Sequence, residues 1–463
     1  IQAGMYKQGV KTVALGFMAG VYNQAESAIA IGRATAYYNQ GYGGIAMGRL
    51  AGFINQGSES LAIGTFAGAS GQGPKAVSVG IFAGQSFQLE SAVALGNSAG
   101  RFSQGKDSVA IGTEAGQTSQ KNESIAIGLY SGQTSQGSRS IAIGKNTGGG
   151  LQSDDALAIG IQAGMYKQGV KTVAVGWGAG QVNQDESAIA IGRVAGTTNQ
   201  GTKSVAVGYQ AGETSQGTES VAIGLQAGET TQGTENVAIG KQTGMASQGA
   251  GASAFGSYSG RDSQGANSTA IGYASGFNTQ GARSFAAGYE SGWFQQGADS
   301  AAIGSRAGNY TQGAQSVAIG YYAGFDNQGV KCVHIGPTSG QTQTGTMSTG
   351  IGFGSGESSQ GAFTTAIGIY SGRTSQGTSA VAVGNQAGYR GQGVDSIAIG
   401  RQAGYVDQSA NSVAMGTGAG IEHQQSRSVA IGYYAGGTGQ RTESIAIGAF
   451  AGQTDQSFNS VAL

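Results

Sequence analysis

Tyr209 to Gly224 reads YQAGETSQGTESVAIG, and Leu225 to Gly240 repeats it as LQAGETTQGTENVAIG. The sixteen-residue frame extends both ways from this pair. Glycine falls at every sixteenth residue from Gly16 to Gly448, twenty-eight times without insertion or deletion. A globular domain has no use for such a register. Stacked coils do, because one extra residue would misalign every coil above it. The frame predicts an all-β parallel β-solenoid of about 29 sixteen-residue coils. Residues 1–463 read as one continuous repeat region. The chain opens and stops within the frame, Leu463 standing one residue before the next expected glycine, so a segment of a longer fibre protein is expected.

Numbering each coil from the residue after that glycine gives x-x-A-G-x-x-x-Q-G-x-x-S-V-A-I-G. Position 3 is only Ala, Ser or Thr (Ala3, Ser131, Thr147), and position 4 is Gly in 28 of 29 coils, with Ala36 the exception. Position 8 is Gln in 28 of 29, departing at Thr344. Position 14 is Ala in 26 of 29, departing at Ser78, His334 and Gly350. Positions 13 and 15 are mostly Val, Ile or Leu.

Composition narrows the choice. Glycine reaches 89 residues and proline only 2, with no three-residue period, which excludes collagen. The apolar beat at positions 13 and 15 argues against disorder. Twenty-four basic side chains balance twenty-four acidic ones with no basic tract, so nucleic acid and anionic membrane are not expected as partners. No apolar run is long enough to insert into a membrane. Cys332 is the only cysteine, so no internal disulfide is possible.

All 48 charges avoid positions 3, 4, 8 and 12 to 16. Half of each coil is therefore expected out of bulk water. The Ser-Val-Ala-Ile-Gly run reads as a strand. A second short strand is expected at positions 1 to 4, and a return loop at 5 to 11. There the position-9 glycine, present in 20 of 29 coils, would supply a positive φ. Alternation puts Val13 and Leu15 on one strand face and Thr12, Ala14 and Gly16 on the other. Neither face bears charge, as in a strand buried on both sides. One face is expected to fill the coil's own core. The other, taken as the small-residue face, would pack on a partner chain.

Stacking also aligns the glutamines. Gln8, Gln24, Gln56, Gln104, Gln216, Gln312, Gln408 and their equivalents are expected as a structural ladder, pairing coil to coil about 4.8 Å apart or tying down the loop backbone. Aromatic residues gather at positions 1, 2, 5 and 6, as in Tyr37 and Tyr38, Trp293 and Phe294, or Tyr321 and Tyr322. They would cover edges or fill a seam between copies, with glycan stacking the alternative.

The template resembles the head repeats of YadA-like trimeric autotransporter adhesins. Ser108 to Gly112, Ser220 to Gly224 and Ser428 to Gly432 carry the Ser-Val-Ala-Ile-Gly strand of those heads. The longer sixteen-residue form with its Gln-Gly loop is similar to repeats in fibre proteins of large DNA viruses and phages. The resemblance implies a left-handed β-roll, a homotrimer, and a place on a cell or virion surface. It also implies projection and adhesion, with a surface glycan or protein receptor as the target. The competing reading is a single-chain binding array for glycan or ice. The Thr ladder that ice binding needs at position 6 is broken by Tyr22, Asp262, Phe294 and Arg390.

No enzyme is expected. His334 and His423 are 89 residues apart, more than five coils or about 25 Å, so they cannot share a site. The Gly-x-x-x-x-Gly patterns come from the repeat, and none continues into the Lys-Ser/Thr of a phosphate loop. No cofactor or metal is expected. The one candidate ion site is Cys332 with His334, two apart on the small-residue face; if that face lined a three-fold axis, three copies would converge. Residues 1–14 are identical to 161–174, a block duplication that lengthens a spacer without making a new site. At about 4.8 Å per coil the expected reach is roughly 140 Å.

Overall fold

The computed structural model describes residues 2–463, and among them all regular structure is β. The architecture is a parallel β-solenoid of about 29 turns. The chain divides into two compact units, Ile1–Thr234 and Glu235–Leu463, each a stack of coils.

Every coil holds a strand at positions 13–15, and most hold a second, of two or three residues, at positions 6–8; six coils have only isolated bridges there. In the first unit one such pair is Tyr22–Gln24 and Ile29–Ile31; in the second, Tyr310–Gln312 and Val317–Ile319. The position 13–15 strands pair in parallel with their equivalents one coil on, while the position 6–8 strands form four shorter parallel sheets. Ile29 aligns with Ile45, Ala30 with Ala46 and Ile31 with Met47; Val317 aligns with Val333 and Ile319 with Ile335. A one-residue slip would turn every side chain to the wrong face, so the unbroken frame is a requirement of this pairing.

The second strand lies at 6–8 and not at 1–4, and backbone sign explains the difference. Position 2 is left-handed (Met18 at φ 56°, Tyr370 at 54°), and so is position 4 (Gly20 at 53°, Gly372 at 50°). Two such residues in four make a turn. Position 7 is left-handed too (Asn23 at 54°, Asn39 at 53°), so within the 6–8 strands only the flanking residues align, Tyr22 with Tyr38 and Gln24 with Gln40.

The position-9 glycine serves a different purpose from the one expected. Its φ is not positive; the left-handed residue of that turn is position 11, as at Ser27 (61°) and Asp107 (55°). Glycine is favoured at position 9 because a Cβ on Gly105 would sit 2.4 Å from the carbonyl carbon of Lys121 in the next coil. Position 16 meets both demands. Gly112 has φ 126°, and a Cβ there would lie 2.6 Å from the Gly128 carbonyl oxygen.

The faces are assigned the other way round from the expectation. The small residues fill the chain's own interior: Ala14-type and Ala3-type side chains, such as Ala30, Ala46, Ala51, Ala62 and Ala67, are fully buried and pack as a continuous column. The position 13 and 15 side chains point outward. A coil built on two three-residue strands is too thin for Val or Ile inside. At Gly20 an added Cβ would already meet the Gln24 side-chain oxygen at 2.8 Å and the Ala14 Cβ at 3.2 Å. Packing at crystal-like density leaves no room for larger groups.

Candidate functional site

The interior is organised by the glutamines. Gln24, Gln56, Gln104, Gln216, Gln312 and Gln408 are all buried, while Gln8 in the first coil is exposed. Gln104 Nε2 donates to the Val93 carbonyl of the preceding coil (2.7 Å) and to the Ser108 carbonyl of its own (3.4 Å). Gln56, Gln216, Gln312 and Gln408 repeat that pair of bonds. Gln24 also donates to Gln40 Oε1 at 2.9 Å and Gln408 to Gln424 Oε1 at 3.2 Å, so amide-to-amide links run up the stack. Gln8 Nε2 donates to the Gly20 carbonyl at 2.7 Å. Each amide closes carbonyls that the strand ladder leaves inside, where an unmet group costs about 1–3 kcal/mol. The Gln120 Oε1 atom lies where a Cβ on Gly116 would come, 2.6 Å away, which is why position 4 is glycine.

Cys332 and His334 both point into this interior and not towards any axis outside the chain. Both are fully buried. Cys332 stands in the place of the position-12 serine, with Ser348 Oγ donating to its sulfur at 3.2 Å. His334 takes the place of a core alanine, and two departures from the frame fit around it. Thr344 replaces the glutamine of the next coil and Gly350 replaces its alanine, where a Cβ would lie 2.7 Å from the ring. The imidazole then spans the gap: Gln328 Nε2 donates to Nδ1 (2.8 Å), and His334 Nε2 donates to Gln360 Oε1 (3.1 Å). It is a neutral ring replacing the missing amide rung. Burial pushes its pKa down to about 4. In this chain their polar atoms bond within the interior and not on a face open to a shared axis. Among the described residues no group of three or more His, Cys, Asp or Glu could hold a metal.

The outer surface carries three kinds of ladder. Charges pair one coil apart: Arg139 with Asp155 (2.6 Å), Arg283 with Asp299 (2.6 Å), Lys203 with Glu219 (3.1 Å). Aromatic rings stack likewise, Tyr6, Tyr22 and Tyr38 at centroid spacings of 4.9 and 5.0 Å. Trp293 touches Phe294, and Tyr321 touches Tyr322, as neighbours on one coil. The third ladder is aliphatic. Positions 13 and 15 form an outward stripe, the first half-buried and the second more open, with Ile111 37% exposed in the first unit and Ile351 38% in the second. No charged side chain interrupts it in any coil.

Concave features are shallow by comparison. A cleft of about 350 Å³ opens where Gly149 and Gly150 take positions 5 and 6, flanked by Tyr130, Met165 and Tyr166. It brings together no titratable cluster. No family model matches the chain, and no curated protein is significantly similar to it.

Sequence reasoning missed the stripe as the site because it gave those side chains to the core. The signal was the uncharged state of both strand faces, combined with an alanine period too small to belong anywhere except inside.

Proposed function

We propose that this chain is a structural segment of a surface fibre, on a cell or a virion, that self-associates through its aliphatic stripe. The observation that carries the reading is the stripe itself. In most coils two aliphatic side chains, one residue apart, face outward with no charge among them. Soluble monomers rarely leave contiguous apolar patches beyond a few hundred Å² uncovered. Burying each Val or Ile fully is worth about 1.5–3 kcal/mol, and half-exposed ones return a share of that when covered. Repetition over many coils makes the sum large. A surface with a sixteen-residue rise is best matched by another surface with the same rise, which a second copy supplies. The homotrimer is the assembly that the resemblance to YadA-like heads implies.

Projection follows from repetition, and adhesion to a glycan or protein receptor is the task that the same resemblance suggests. The reading assigns no catalysis and no cofactor. Light scattering after size exclusion tests it. A mass near three times the 45.9 kDa chain is expected, falling to one chain when lysines replace the position-15 residues of most coils. A monodisperse monomer of the unaltered chain would instead favour a single-chain binding array.

A further inference from the structure

The stripe is uniform except over four coils of the second unit. Phenylalanine occurs only twice at positions 13 and 15, as Phe285 and Phe255. Residues smaller than Val or Thr occur there three times: Ser253, Ala287 and Ala301. Ser253 shares a coil with Phe255, and Ala287 shares one with Phe285. Ala301 stacks directly against Phe285 in the ladder. The two phenylalanine coils are inverted relative to each other: small then large at 253–255, large then small at 285–287. Other coils carry medium residues at both places, such as Val317 and Ile319. In the two phenylalanine coils the large and small residues trade places, while the 301–303 coil carries Ala301 with Ile303, the alanine lying against Phe285.

Phe255 is 37% exposed and Phe285 half-buried, on a face that points away from the chain's own interior. Volume is constrained only in close packing; a solvated face tolerates a large residue without a small one beside it. We infer that these coils are a register key for self-association: copies lie parallel and in register, position 13 of one against position 15 of its neighbour in the same layer. Ser253 then makes room for the neighbour's Phe255, and Phe285 fills the space the neighbour's Ala287 leaves. A slip of two coils puts Phe285 against the neighbour's Phe255 in one direction, a clash, and Ser253 against the neighbour's Ala287 in the other, a hole. Pairing of Phe255 with most other coils sets its ring against Val or Ile that already fill the space. The long run of near-identical coils would otherwise allow many registers, and this is where specificity is set.

The inference rests on the self-association proposed above, and the test separates the two. In the full chain carrying Cys332→Ser, which restores the position-12 serine, Thr269→Cys is co-expressed with Ile271→Cys and the complex is oxidised. Thr269 and Ile271 are the outward residues of the coil between the keys. An intermolecular disulfide is expected, at least tenfold more abundant than with Thr269→Cys and Ile303→Cys, two coils out of register. Replacing the key with frame residues (Ser253→Val, Phe255→Ile, Phe285→Val, Ala287→Ile) should leave the mass unchanged and reduce that preference several-fold. Equal cross-linking of both cysteine pairs in the unaltered key would overturn the key. An oligomer with no disulfide at either pair would overturn the position-13-to-15 arrangement. A monomer by light scattering would overturn the self-association itself.

Discussion

Acidification should loosen this protein at one coil, and His334 sets where and by how much. Its ring is fully buried with a pKa lowered from 6.5 to about 4 by desolvation, and no charged side chain bonds to it: its partners are the amides of Gln328 and Gln360. A proton would place an unpaired charge in a dry interior and turn Nδ1 from acceptor to donor against Gln328 Nε2. The folded pKa lies below the unfolded one, so the unfolded chain takes up the proton first. The stability contributed by the neutral ring is complete above about pH 6.5 and is lost as pH falls towards 4. The loss works out at about 1 kcal/mol at pH 5.5, rising to about 3 kcal/mol below pH 4.

The comparison that isolates this effect is the variant His334→Ala, Thr344→Gln, Gly350→Ala, which returns both coils to the frame and keeps every carboxylate. Native-state hydrogen exchange is the assay of choice, because stacked coils can open locally and a single melting point averages over them. Opening free energies of amides in residues 321–360 should fall in the parent relative to the variant by the amounts above, while coils far from His334 respond alike in both. A parent-to-variant difference that stays constant between pH 7.5 and 4.5 would refute the reasoning.

Other substitutions read single interactions. Gln104→Leu keeps the volume but leaves the Val93 and Ser108 carbonyls without their donor; a loss of about 2–3 kcal/mol in the surrounding coils is expected by hydrogen exchange. Gly116→Ala and Gly112→Ala should differ. The first presses on the flexible Gln120 amide, the second on the Gly128 backbone, so denaturant melts should show the larger loss for Gly112→Ala. Val194 is β-branched yet left-handed at φ 55°, so Val194→Asn should gain about 1 kcal/mol, seen as slower exchange in its coil.

The solenoid, its frame and its buried positions were legible because a stack repeats its constraints: a site that must stay dry is uncharged in every coil. What misled was the usual preference for large apolar residues inside. Val13 and Ala14 sit on opposite faces of one strand, both uncharged, and sequence gives no scale for the interior. The scale comes from coil thickness, where one alanine and one glutamine stem already fill the space. Position 9 shows a related ambiguity, since glycine required by close approach looks the same as glycine required by φ. Position 11, which is left-handed, did carry a readable mark: no Val, Ile or Thr occupies it in any coil. The left-handed turns of positions 2 and 7 tolerate many residue types and left weaker traces.

Departures from the frame come in compensating sets, and this governs how the chain can change. Ala36 adds a methyl at position 4, and the same coil has Gly44 at position 12, where a Cβ would crowd Gln40 Cγ at 3.3 Å. Ser78 brings a hydroxyl to position 14 and spends it on Gln88 Oε1 at 2.6 Å. His334 required both Thr344 and Gly350. Around His334 the neighbouring coil adjusts, because an interior with no spare volume couples each residue to the layer above and below. The same logic links the buried column to the outer stripe. Ser253 with Phe255, and Phe285 with Ala287, show the same pairing of large with small on a face that one chain leaves half open. Compensation marks close packing, and on the stripe the second copy proposed above would supply it.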